Sequence, residues 1–180
     1  GDAKKAATSL LEAAQGGRVA VESTAFGIDW THAIYQQGKK GEAGWKSFFF
    51  EWWWKRSYRV AGSRFAQGRK KEWVLLLPGQ TLKEIWSVPA GALSEADRIA
   101  KRNRFDQAKV SEDEQAVCEL ILAHLKRKGH VEKWAHWYVD DVAEFLAWRR
   151  AKIAELPGGE AQFKIEYPEN DVDCFEQTGR

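Results

Sequence analysis

At 180 residues the chain is long enough for one domain with a real core, or for a piece of a larger protein. Its 28 basic and 26 acidic residues leave a formal net charge of +2, without the basic excess of a dedicated nucleic-acid binder. A hydrophobic share of 44% and a charged share of 30% fit a soluble globular protein, and no apolar run approaches the roughly 20 residues of a membrane helix.

The first segment, Ala3 to Gln15, reads as a helix with Ala6, Leu10, Leu11 and Ala14 on one face, stopped by Gly16-Gly17. Val19-Ala20-Val21 follows as a strand, apolar on both faces as a buried parallel strand is. Asp29 to Gln37 is helical, with Asp29 as N-cap and Gly38 at its end. A Gly/Lys turn over 38–44 leads into Trp45 to Trp54, a second strand by its aromatic content. Tyr58 to Pro78 is a loop or hairpin made basic by Arg64, Arg69, Lys70 and Lys71, either a solvated surface or a phosphate-contacting one. Within it, Trp73 to Leu77 reads as a strand ending at Pro78-Gly79. Residues 79–93 look like a boundary beyond which helices take over. One starts at Ser94 and runs to about Arg104. Ser111-Glu112-Asp113-Glu114 is a capping box, and its helix carries Val117, Leu120, Ile121 and Leu125. A further helix is capped by Asp140 or Asp141 and holds Val142, Phe145, Leu146, Arg149 and Ile153. Phe163 to Tyr167 is expected to be extended ahead of Pro168, and Asp171 to Gln177 to form a last turn or two.

Few residues announce chemistry. GxxxxGK[ST], the phosphate-binding loop, is absent. Ser23 has no GxSxG context, and His32, His124, His130 and His136 do not fall at metal-ligand spacing. Tyr138-Val139-Asp140-Asp141 imitates a metal-binding strand end but precedes a helical pattern, which makes it a cap. Cys118 and Cys174 lie far apart without CxxC spacing and read as reduced thiols of a cytosolic protein. The lack of Met, at position 1 included, suggests a trimmed or incomplete chain, and Gly1-Asp2-Ala3 follows no signal-peptide pattern. Glu22-Ser23-Thr24 remains. Ligands of open α/β sheets sit at carboxyl strand ends, where a hydroxyl contacts phosphate or orients water; the alternative is that Ser23 and Thr24 only cap the next segment.

Two stretches carry a resemblance. The first is Val21-Glu22-Ser23-Thr24-Ala25-Phe26-Gly27, then a helix, Gly38, Gly41, Trp45, Phe48, Phe50, Trp52-Trp53-Trp54 and Tyr58-Arg59. The second is Trp148-Arg149-Arg150-Ala151-Lys152-Ile153, then Phe163-Lys164-Ile165-Glu166-Tyr167-Pro168, Phe175 and Gly179. In that order they resemble the large terminase subunit of tailed bacteriophages. The match covers the first ~60 and last ~40 residues. It departs at Phe26, where the family often has Asn, and at Asp173-Cys174-Phe175, where it often reads Glu-Ala-Phe.

The resemblance implies an α/β chain: the C-terminal part of a P-loop ATPase sheet within residues 1–60, a strand-containing insertion or lid over 61–110, and a helical subdomain over 111–180 leading toward a nuclease domain. It implies an enzyme that packages viral DNA into procapsids in the host bacterial cytoplasm, with ATP and Mg2+ bound by the full-length protein. The phosphate loop would precede Gly1 and the nuclease carboxylates would follow Arg180, leaving no catalytic residue and no metal ligand in this chain. Glu22, Ser23 and Thr24 correspond to the family's ATP-coupling motif. Double-stranded viral DNA, a portal protein and a small terminase subunit are the implied partners, in an oligomeric ring. Arg149 and Arg150 either contact DNA phosphate or pair with neighbouring carboxylates. A reading of another class is a non-catalytic protein- or DNA-interaction module or a degenerate prophage remnant, using exposed aromatics and the Arg64 to Lys71 patch.

Overall fold

The computed structural model describes residues 20–22, 30–68, 70–86, 94–172 and 175. Among them the chain is mixed α/β and mostly helical, with six α-helices and one small sheet. Two units divide it. One holds the described residues up to Glu51 and those from Glu160 onward; the other is Trp52–Gly159. The second unit thus joins residues on both sides of the composition break at 79–93. No helix among the described residues is long and apolar enough to cross a membrane.

In the first unit, helix α1 (Trp30–Lys40) continues through Gly38, past its expected end. Gly38 is there because of what lies against it: a Cβ would stand 2.1 Å from the Ser47 Oγ and 2.9 Å from the Ser47 nitrogen. Ser47 uses that approach to donate its hydroxyl to the Tyr35 carbonyl, 2.7 Å away. A 3-10 turn, Glu42–Gly44, is entered through Gly41 at φ +69°.

The second unit is built on a hairpin, β1 (Arg64–Gln67) antiparallel to β2 (Trp73–Leu76), with Phe65 opposite Leu75 and Ala66 opposite Val74. Both faces are covered. Val74, Leu76 and Ala66 pack with Ile85 and Leu82 of α2 (Leu82–Trp86) and with Phe105 and Ala108 of α3 (Glu95–Ala108). Phe65 and Trp73, on the opposite face, meet the Trp137 ring edge-on at 5.2 and 5.8 Å. Beyond β2, Lys109 makes an antiparallel bridge with Val74, and the Val110 N–H donates to the Trp73 carbonyl at 2.9 Å. Helices α4 (Glu112–Arg127) and α5 (Asp140–Glu155) pack on each other, and α5 also lies on β1. Their buried residues, Val117, Cys118, Ile121, Leu122 and Leu125 against Val142, Ala143, Phe145, Leu146 and Ala147, form the larger part of the core. Helix α6 (Gly159–Glu166) follows in sequence and, from Glu160 on, belongs to the first unit.

Several expectations hold: the Trp73 strand, the Ser111 capping box, and the helices beginning at Ser94 and at Asp140. Others are corrected. Ala20, Val21 and Glu22 are exposed and belong to no strand, so the buried parallel strand expected at Val19–Val21 does not form in its described part. A short apolar run states what a strand would bury, not what it would pair with. Residues 45–51 are irregular and Trp52–Trp54 form a 3-10 turn rather than a strand. Trp52 and Trp53 are both buried, whereas a strand would send neighbours to opposite faces. Phe163 to Glu166 is helical, because Pro168 constrains only Tyr167, where the helix has already ended. The cap before α5 is Val139, without a side-chain bond; Asp140 and Asp141 sit instead in the first turn, where their charge complements the helix dipole. Leu120 points outward, 50% exposed, and Cys118 takes its place in the buried stripe of α4. The Ala3 to Gln15 helix, Cys174 and most of Asp171 to Gln177 lie outside the described residues.

The hairpin core sets a measurable expectation. Leu76→Ala, which empties a site only 2% exposed, should lower the unfolding free energy by about 2–4 kcal/mol in urea titration. Ile99→Ala, at a residue 52% exposed, should stay within about 0.5 kcal/mol.

Candidate functional site

The sequence directs attention to two arginines, and the fold gives them different surroundings. Arg150 projects from α5 toward the junction of α3 and α4. Its Nε donates to Glu114 Oε1 and its Nη2 to Glu114 Oε2, both at 2.7 Å. Nη1 donates to the Gln107 carbonyl and Nη2 to the Lys109 carbonyl, again at 2.7 Å. This is the fork geometry that lysine does not supply. Glu114 is also the third residue of the capping box: its N–H donates to the Ser111 hydroxyl at 3.2 Å, and its Oε2 accepts from the Ser111 N–H at 3.0 Å. Burial pushes the Glu114 pKa up, but the hydrogen bond and charge of Arg150 outweigh it, and the carboxyl sits below its ordinary range. Arg149 is only 5% exposed. Both guanidiniums therefore serve the interior and its rim.

Two residues before Arg150 on the same helix, Trp148 joins an aromatic stack. The Trp148 ring lies parallel to Tyr58 at 4.1 Å and 6°, and stacks on Trp52 at 5.1 Å. Trp52 in turn meets Trp53 and Phe145 edge-on. Next to Tyr58, Arg59 reaches Asp141 at 3.4 Å and Glu144 at 3.5 Å, with its guanidinium over the Phe145 ring. The Glu144 carbonyl accepts from the Val60 N–H at 3.0 Å, and its carboxylate from the Gly62 N–H at 2.8 Å. Residues 58–62 are thus sewn to α5 by a stack, an ion pair and two backbone bonds.

A second meeting of the same kind occurs in the first unit. Asp171 accepts from the Tyr35 hydroxyl at 2.9 Å and from the Lys39 ammonium, and these bonds, that of Lys39 foremost, hold its carboxyl below the ordinary range. The Phe175 ring packs on His32 at 4.6 Å and on Tyr35 at 5.6 Å.

The remaining candidates are dispersed. Glu22 is exposed; Ser23, Thr24 and Arg69 lie outside the described residues. Arg64 donates to the Gln80 carbonyl at 3.1 Å, at the open end of the hairpin. Lys70 and Lys71 are exposed at its turn, about 10 Å of strand away, with Lys71 at φ +64°. Among the described residues no group of three or more His, Cys, Asp or Glu is arranged to hold a metal ion. Arg59, Glu144 and Glu114 were not singled out as partners by the sequence. The Tyr58-Arg59 dipeptide and the Glu at the third position of the capping box were the available signals. Neither a family model, nor a curated protein, nor a solved structure matches this chain.

The lowered pKa of Glu114 fixes the sign of a pH effect. The ionised carboxylate contributes stability above the unfolded glutamate pKa, about 4.3, and that stability is lost as the pH falls through the folded value. Glu114→Gln should cost about 1–3 kcal/mol at pH 7 and progressively less toward pH 3, measured by urea unfolding at each pH.

Proposed function

We propose that this chain is part of the large terminase subunit of a tailed bacteriophage, the ATP-driven motor and nuclease that moves viral DNA into procapsids. The observation that carries the reading is the contact of Trp148 with Tyr58 and Trp52. The two stretches that resemble the family are about 90 residues apart at this point, and they meet face to face. The pairing of Tyr35 and Lys39 with Asp171, and of His32 with Phe175, brings the same two stretches together a second time. Residues that recur as ordered motifs and also share contacts support one inherited architecture better than separate coincidences do.

On this reading the hairpin and helices after residue 60 are the insertion and the helical subdomain beside a P-loop ATPase core, and Glu22, Ser23 and Thr24 correspond to its ATP-coupling motif. The residues present do not make a nucleotide site. The chain has no GxxxxGK[ST], and the described residues have no carboxylate group arranged for Mg2+. On this reading ATP and Mg2+ are bound by the full-length motor. Duplex DNA, a portal protein and a small terminase subunit are the partners, in a ring working in the host cytoplasm.

The coding DNA immediately upstream of Gly1 tests the reading. An in-frame GxxxxGK[ST] is expected, and a start codon at this position behind a stop would overturn it. In the whole motor, Thr24→Ala should retain ATP binding and lose packaging in a DNA-protection assay; packaging at the wild-type rate would remove the coupling role.

A further inference from the structure

We infer that the surface formed by Lys55, Arg56, Lys126, Arg127 and Lys128 is a docking site for the phosphodiester backbone of duplex DNA. Two elements build it. Lys55 and Arg56 follow the Trp52–Trp54 turn, and the other three end helix α4. Trp54 joins the elements: its ring lies against His124 at 4.8 Å and under the Lys128 ammonium at 4.3 Å.

The three cations on α4 have a local reason to be there, because a helix C-terminus favours positive charge. That reason does not extend to Lys55 and Arg56. They come from another element, which Trp54 joins to the end of α4. None of the five has a carboxylate partner among the described residues. Elsewhere in this unit Arg59, Arg98, Arg102, Arg150 and Lys152 each have one. A cluster of positive charge without internal compensation, in a chain whose net charge is only +2, is matched by a polyanion.

Two of the cations are also held in place. Lys55 Nζ donates to the Tyr58 hydroxyl at 3.3 Å and lies 4.6 Å from its ring centre, and Lys128 rests on Trp54. Positioned ammonium groups lose less conformational freedom on binding than free ones. Tyr58 is itself stacked on Trp148, so the cationic surface is anchored to the core of the unit. The choice of DNA as the polyanion rests on the packaging reading; the unpaired cations do not.

The test is fluorescence anisotropy of a labelled 30-bp duplex (about three helical turns) with the purified chain at a series of salt concentrations. Lys55→Gln with Arg56→Gln should weaken binding at least ~10-fold at low salt and lower the slope of log K against log salt by about 2. Both side chains are exposed, so thermal unfolding should match wild type. Arg98→Gln with Arg102→Gln removes the same charge from exposed, ion-paired positions on α3 and should leave affinity within about 2-fold. Equal losses in the two variants, or no loss in the first, would overturn the docking site while leaving the packaging reading intact. Absence of duplex binding by wild type would overturn it as well. Binding to phosphatidylserine vesicles in preference to duplex would overturn the choice of partner.

Discussion

The second unit depends on one ion pair. Arg150 leaves α5 and closes on Glu114 with two parallel hydrogen bonds, and it also donates to one carbonyl in the last turn of α3, that of Gln107, and to that of Lys109, the residue that bridges to β2. A single planar group thereby fixes the end of one helix, the start of the next and the outer edge of the sheet. The pair is partly buried, its side chains 24% and 14% exposed, so solvent screens it less than a surface bridge. Removing either member would strand the other along with the carbonyls or backbone donors it satisfies, and the cost of an unsatisfied buried group exceeds the net gain of the bond itself. That asymmetry is why an arginine beside a tryptophan on one helix matters to elements some 40 positions away.

Around this tie the unit is held by aromatic stacking. Tyr58, Trp148 and Trp52 form a continuous stack, and Arg59 grips the first turns of α5 from the side. The consequence for function is one of placement. Residues 52–59 and Trp148 are joined by this stack, and Lys55 and Arg56 lie between its members Trp52 and Tyr58 in sequence.

What the sequence disclosed was local in origin. The Ser111 capping box needs only residues 111–114, and the β2 strand and the helices after Ser94 and Asp140 announce themselves by short-range pattern. What it concealed depended on distant partners. The Trp45 to Trp54 run has strand-forming residues, but Trp52 found its burial against α5, and in the 3-10 turn Trp52 and its neighbour Trp53 are both buried. Gly38 reads as a helix stop, yet it is the one residue small enough to let Ser47 approach. Of the two roles read for the arginines, pairing with a carboxylate is what Arg150 does, but the partner was illegible, since nothing near it in sequence points to Glu114. The hydroxyls of Ser23 and Thr24 lie outside the described residues, and their role rests on the resemblance alone.

Native-state hydrogen exchange of Arg150→Met against wild type tests the tie most directly. If Arg150 holds the junction, the amides of residues 107–110 at the end of α3 and of residues 112–116 at the start of α4 should lose protection together, while the β1–β2 hairpin pairs keep most of theirs. Unchanged protection at both helix ends would contradict the account and leave Arg150 a bystander at the rim of the core.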